Sequence, residues 1–340
     1  MSGFEILALI SALAVSTALL ILVVAAVWWF DRYDREPLHL VVGVFLWGAL
    51  IAPVLSAGGC SVVAAATGTH APFMVGGVGP LIEEITKALG ILLVVVLSRE
   101  FDNPTDGLVY GTATGLGFAV TENALYTALG TGILAPQQTI VMIVARTAAS
   151  AGIHALASAT FGGCLGFAYL SRNRWARGWW FVGGLASAIA LHAGWNLLLL
   201  RFQSGEAEIR VAAAWLLAIP LLYGLYLLTL FAFLRSEQRI IRHQLAEEVE
   251  LQVIPPWVCD VIPYYRRRIR SEWWPTRRER TVLARLMTRL AFRKHAVGRL
   301  PQGEAQLAGL EVVRLRQRIR AMLCTADDCQ LSVESDDPSP

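Results

Sequence analysis

The chain is a succession of apolar runs, each long enough to cross a bilayer, joined by short polar loops. A helix needs about 20 apolar residues to span the hydrocarbon core. Such runs occupy residues 4–30, 38–66, 75–97, 108–129, 140–170, 179–200 and 211–234. Lipid offers no partner for backbone N–H and C=O groups, so runs of this composition have to be helical. The pattern predicts an all-α, polytopic membrane protein of about seven transmembrane helices, and the 55% hydrophobic and 16% charged composition agrees. No Lys or Arg precedes the first run, which is longer than a signal-peptide core, so it is expected to be a retained first span. The third run opens with Gly76, Gly77, Gly79 and Pro80, which predicts an irregular or re-entrant start. The fifth is overlong and is expected to tilt, or to break near Gly152 or the Gly162-Gly163 pair.

Charge is segregated along the chain. Most of the 29 Lys and Arg residues follow Phe233, so the net charge of +3 describes a basic tail on an apolar body and gives no reason to expect a nucleic-acid partner. Arg32 and Arg35, Arg99, and the trio Arg172, Arg174 and Arg177 mark alternate loops, whereas 68–74 and 130–139 contain no cation. Only the loop with Arg201 and Arg210 weakens the alternation; Glu206 and Glu208 count little in this rule. Positive loops stay inside. The prediction is therefore a multi-pass cell-membrane protein with its N-terminus extracytoplasmic and its C-terminus cytoplasmic. Trp28, Trp29, Trp175, Trp179 and Trp180 fall near cytoplasmic span ends, as interfacial aromatics do.

Three regions follow: a membrane core at 1–234, a basic helical cytoplasmic region at 235–331, and a Ser/Asp/Pro tail at 332–340 expected to be disordered. Charged helices are expected at 235–253, 279–296 and 302–323, with a break at Pro255-Pro256. Arg266, Arg267, Arg268 and Arg270 with Trp273 and Trp274 would suit anionic headgroups, or an ordinary solvated appendage. The five cysteines form no disulfide framework, and Cys324 and Cys329 lack partner ligands at metal-site spacing.

Against this apolar background stand Glu83, Glu84, Glu122, His154 and His192. A charge at the bilayer centre costs about 2.5–3.5 kcal/mol, so such groups face a bundle interior or a cavity and mark a site. In Glu83-Glu84-Ile-Thr-Lys87, the lysine shares a helix face with Glu83 and lies three residues from Glu84. One ion pair would neutralise one acid and leave the other for acid–base work. Glu122 follows a segment with Gly111, Gly115 and Gly117, small residues that let helices approach. His192 and Asn196 lie at i and i+4; imidazole is a metal ligand and an amide can donate to an oxyanion. His154 lies deeper than the others. Arg146 could neutralise a carboxylate, bind substrate backbone or reach the interface by snorkelling.

Glu83-Glu84-x-x-Lys87, Phe118-x-x-x-Glu122-Asn123, His154 in its Ala/Ser-rich helix, and His192-x-x-x-Asn196 together resemble the PrsW family of intramembrane proteases, within the group that includes CAAX-prenyl proteases. The stretch 31–38 resembles that family's opening, and the resemblance covers about residues 20–235. It implies peptide-bond hydrolysis in the membrane, typically the first cut of an anti-sigma factor. Glu83 and Glu84 would be the activating carboxylates, and Glu122, His154 and His192 the supporting or ligating groups. Two departures from the prenyl-protease pattern stand out: Glu122 replaces a histidine, and Ser158 rather than asparagine follows His154.

The expected mechanism uses Glu83 or Glu84 to activate water, with or without a divalent metal such as zinc held by Glu122, His154 and His192. The metal, or His192 and Asn196, would polarise the carbonyl, with Lys87 and Arg146 in support. The expected partners are a single-pass membrane protein substrate and the lipid bilayer. Buried acids and histidines also build proton relays, so an ion-coupled transporter is the rival class. A non-enzymatic scaffold with a recruiting basic tail is the third.

Overall fold

The computed structural model describes residues 1–98, 100–203, 209–270 and 273–334; Arg99, Glu206, Glu208 and residues 335–340 lie outside them. Eleven helices and no strand occur among the described residues. They are α1 (Gly3–Phe30), α2 (Leu38–Thr67), α3 (Gly79–Leu97), α4 (Pro104–Ile133), α5 (Pro136–Tyr169), α6 (Arg174–Gln203) and α7 (Ile209–Glu250). Four more follow: α8 (Val258–Val261), α9 (Tyr265–Arg270), α10 (Arg277–Val297) and α11 (Gln302–Glu334). Local chemistry fixes several starts. Ser2 and Glu5 cap α1 reciprocally. Asn103, followed by Pro104 at the first helical position, accepts from the Thr105 and Asp106 amides and starts α4 four residues before the apolar pattern does.

The chain forms two compact units. The first comprises residues 1–31, 35–169 and 174–231. Among the described residues of the chain, five stretches are long and apolar enough to cross a membrane: Gly3–Phe30, Leu38–Thr67, Pro136–Tyr169, Arg174–Arg201 and Leu217–Glu250. Their outward faces carry Phe4, Leu22, Val54, Val141 and Trp179, all exposed. So much exposed apolar surface is tolerable only with lipid as solvent. The protein is a multi-pass, all-α membrane protein.

At the centre of this unit is α4, buried continuously from Thr105 to Ala119. Gly111 and Gly115 make that possible. A Cβ at Gly111 would strike the carbonyl of Ser158, and one at Gly115 the carbonyl of His154, so α4 lies against α5 backbone to backbone. This contact brings the α5 imidazole beside α4. The expected break at Gly152 or Gly162-Gly163 does not occur, because Gly162 packs on Gly107 within a continuous helix. The irregularity in α5 is instead a π-helical turn at Arg146–Ser150. Similar turns lie at Trp47–Ile51 in α2 and at Met74–Val78, where the sequence predicted an irregular start to the third run. Such turns often sit at functional sites.

The loop between α1 and α2 is tied to the start of α4. The Tyr110 hydroxyl donates to Glu36, the Glu36 amide donates to Asp31 (3.3 Å), and Trp28 Nε1 donates to the Glu36 carbonyl (2.7 Å). Asp106 accepts the amides of Asp102 (2.7 Å) and Asn103 (2.9 Å). Burial raises the Glu36 pKa well above its usual value, and the neighbouring Asp106 and Asp31 push it the same way.

The second unit comprises residues 32–34, 170–173 and 232–340. Two short loop segments that join apolar helices are thus grouped with the C-terminal region. Its core is that of a soluble domain: Ile241, Leu245, Ile262, Leu283, Met287, Leu290 and Ile319 are buried together. Glu248 is fully buried between Lys294 (2.6 Å) and Arg316 (2.6 Å). Arg268 donates to the Tyr33 carbonyl (3.3 Å) and to Thr288 (3.2 Å), and Trp274 is buried with its indole N–H on Glu279 (3.2 Å). These two side chains make structural contacts within the unit, whereas Arg266, Arg267 and Arg270 are exposed. The third tail helix, expected to end at Leu323, continues to Glu334.

A protonated Glu36 is the form this fold favours. Stability is therefore full below the usual carboxylate value of 4.5 and falls as pH rises toward the raised value. Thermal unfolding in detergent should give a midpoint that declines from about pH 5 to pH 8. Glu36→Gln keeps an acceptor for Tyr110 and should flatten the decline; an unchanged slope would reject this assignment.

Candidate active site

The polar groups of the first unit converge on the face shared by α3, α4, α5 and α6. Helical spacing puts Glu83, Glu84 and Lys87 on neighbouring turns of α3. The Lys87 ammonium is fully buried; it lies 2.7 Å from Glu84 Oε1 and 3.8 Å from Glu83 Oε2. It also donates to His154 Nδ1 (2.9 Å) and stands 4.1 Å from the centre of the Phe118 ring. Glu84 is buried as well. It accepts from His192 Nδ1 (2.8 Å) and from the Ser158 hydroxyl (3.3 Å). Glu122 receives His154 Nε2 at 2.5 Å and lies 2.9 Å from the Arg146 guanidinium. Arg146 donates through Nε to Asn123 (3.1 Å) and covers the Tyr126 ring at 3.7 Å.

The partners assign the protons. An ammonium only donates, so His154 Nδ1 accepts and its proton sits on Nε2, toward Glu122. A carboxylate only accepts, so His192 carries its proton on Nδ1 and turns the Nε2 lone pair toward Glu83. The rings meet edge to face with centres 4.6 Å apart. Charge is divided just as specifically. Lys87 neutralises Glu84 and Arg146 neutralises Glu122, which leaves the surplus negative charge on Glu83. Glu83 Oε2 is buried with no hydrogen-bond partner, 3.7 Å from His192 Nε2.

Two electron-pair donors facing each other suit a cation or a water molecule. Ligand atoms of Glu83, His154 and His192 lie within 4.8 Å of one another. A tetrahedral ion with bonds of about 2.0–2.2 Å holds its ligand atoms about 3.3–3.6 Å apart, so these side chains would have to close by about 1 Å to hold a divalent ion. This grouping contains Glu83 where Glu122 was expected beside His154 and His192; the near oxygen of Glu122 is held by Arg146 and His154. For His154 to ligate, Lys87 or Glu122 must release one of its nitrogens.

Asn196 also makes a contact between two elements. Its amide donates to the Val75 carbonyl (3.0 Å), fastening α6 to the π-helical turn that precedes α3. Six of the eight expected site residues sit in one cluster with Arg146 at its edge, and Asn196 stands apart. Ser158 was noted only as a departure, and Tyr126 went unmarked, because hydroxyl and ring contacts between helices leave no sequence spacing to read.

A helical membrane protein with buried carboxylates and imidazoles gathered on four of its helices could be a transporter or a membrane-embedded hydrolase. The comparison with known families decides for the hydrolase. The model of the PrsW family of intramembrane metalloproteases matches residues 36–225, and the chain belongs to that family. It is similar to Protease PrsW of Bacillus subtilis, with 30% identity over 179 residues, covering 50% of this chain and 73% of the relative. Protease PrsW of Geobacillus kaustophilus is 31% identical over 177 residues, covering 50% and 71%. That of Clostridioides difficile is 30% identical over 108 residues, covering 28% and 42%. No solved structure matches the chain. The protein is a membrane-embedded peptidase.

If Asn196 is a fastener, Asn196→Ala should lower the unfolding midpoint by an amount corresponding to about 1 kcal/mol. Cleavage should fall less than about tenfold, whereas losing an oxyanion donor costs about 10²–10³. A hundredfold loss of kcat in a fully folded variant would restore the oxyanion role.

Proposed function

We propose that the protein cuts a single-pass membrane protein, such as an anti-sigma factor, using water lodged between Glu83 and His192. The reading rests on one observation: Glu83 has a buried oxygen without a hydrogen-bond partner, facing the Nε2 of His192 at 3.7 Å, with Lys87 at 3.8 Å. A water in that gap can donate to both. Glu83 takes one of its protons as the hydroxyl oxygen adds to the carbonyl carbon of the scissile peptide. The proton then passes to the amide nitrogen as the C–N bond breaks, leaving a carboxylate and a free amine. Glu84 holds the His192 ring by Nδ1, as an outer carboxylate orients a working imidazole. Lys87 keeps Glu84 ionised in the bundle, and Arg146 does the same for Glu122.

The same pocket suits zinc or another divalent metal on Glu83, His192 and His154. When bound, the metal would supply Lewis-acid polarisation of the carbonyl and a more acidic water. In either form Glu84, Lys87, Glu122 and Arg146 fix the two imidazoles. The roles first expected of Glu83 and Glu84 therefore separate: the former reacts and the latter holds. Membrane placement completes the reading. α3 and α4 join the five apolar stretches to make seven spans, with the N-terminus outside and the basic C-terminal unit in the cytoplasm.

Two substitutions separate the glutamates. Glu83→Gln should lower kcat by about 10²–10⁴ and leave the unfolding midpoint close to wild type. Glu84→Gln should lower kcat and also destabilise by about 3–5 kcal/mol, because Lys87 loses its buried partner. Reconstituted protein, a labelled single-pass substrate and elemental analysis of each variant provide the readouts. Equal activity in Glu83→Gln and wild type would reject the assignment; metal lost with Glu83→Gln but retained in Glu122→Gln would fix the ligand set.

A further inference from the structure

α1 lies outside the 36–225 stretch that the family model matches, yet it sends one buried hydroxyl to the edge of the active site. Ser16 is buried on a helix whose neighbouring residues Val15 and Leu19 are exposed. Most serines and threonines of these helices bond back to the carbonyl four residues earlier, as Thr17, Ser56, Ser61, Thr112 and Thr160 do. The bonds of Ser16 all go to other helices.

Those bonds form an ordered chain. Arg146 Nε donates to Asn123 Oδ1 (3.1 Å), which fixes the orientation of the amide. Asn123 Nδ2 then donates to Ser16 Oγ (3.2 Å) and, more weakly, to Thr147 Oγ1 (3.4 Å). Thr147 gives its own proton to the Ile143 carbonyl (2.7 Å). The 2.6 Å bond between Ser16 and Thr147 is therefore donated by Ser16. Each group has one direction available to it, and the chain ends on a backbone acceptor. At its other end, Arg146 neutralises Glu122, which receives His154.

We propose that Ser16 is a positioning residue for peptide hydrolysis: through Asn123 it sets the guanidinium of Arg146, and thereby Glu122 and His154. Without the hydroxyl, Asn123 keeps one weak partner on that side and Arg146 loses a fixed acceptor. The inference builds on the protease reading and concerns the rate of the chemical step, since Ser16 is removed from the bond being cut.

The test is a cycle of Ser16→Ala and Arg146→Lys, with Ser16→Thr as the conservative control. Arg146→Lys keeps a cation for Glu122 but has no Nε to give Asn123. Ser16→Ala should lower kcat about tenfold, with KM within about twofold because no substrate contact is lost. In the Arg146→Lys background it should lower kcat no further, and Ser16→Thr should restore most of the rate. A loss of equal size in both backgrounds, or a change in KM alone, would overturn the proposal. Thermal unfolding of the same four proteins is the second readout. If wild type cleaves no candidate substrate, the protease reading fails on its own, while strictly additive midpoint shifts would independently refute the coupling of Ser16 to Arg146.

Discussion

Everything in the membrane unit depends on one buried cation. Lys87 has no access to solvent, and its ammonium has to be satisfied where water cannot reach. It bonds Glu84 on its own helix and His154 on α5, and rests over the Phe118 ring of α4. One side chain thus fastens three helices and dictates which nitrogen of His154 carries a proton. Glu84, neutralised by the same lysine, dictates the proton of His192 in turn. Two adjacent imidazoles are consequently held in opposite tautomers by a single ion pair.

The chemistry follows from what that ion pair leaves over. With Glu84 and Glu122 each matched to a cation, Glu83 is the acid without a close donor, and it faces the bare nitrogen of His192. The fold brings this about with close backbone packing and local irregularity. Glycines let α4 lie against α5, and the π-helical turns at Met74–Val78 and Arg146–Ser150 shift the helix face just before α3 and at Arg146 itself. A regular helix through either stretch would aim these side chains differently.

The helical membrane architecture was legible because its signals are local and strong: apolar runs, loop cations, and the glycines of α4. The cluster was legible as a set because ionisable groups in an apolar run stand out singly. Their pairing was not. Whether Glu83 or Glu84 meets Lys87 depends on rotamers and on a histidine 67 residues away in sequence. The Asn196 contact was hidden for a related reason, since spacing along α6 cannot reveal that the Val75 carbonyl is opposite. Ser16 gave no signal at all, a lone serine in an apolar helix being ordinary. In the C-terminal unit the helices were readable from charge pattern, but the hydrogen bonds of half-buried Arg268 and the burial of Trp274 required the fold.

The opposed tautomers are the most exposed part of the account, and nitrogen-15 NMR of histidine-labelled protein in bilayers reads them directly. Assignment uses His154→Gln and His192→Gln. The account predicts a neutral His192 protonated at Nδ1 beside a neutral His154 protonated at Nε2. Two histidines in the same tautomer, or both carrying two protons, would contradict it.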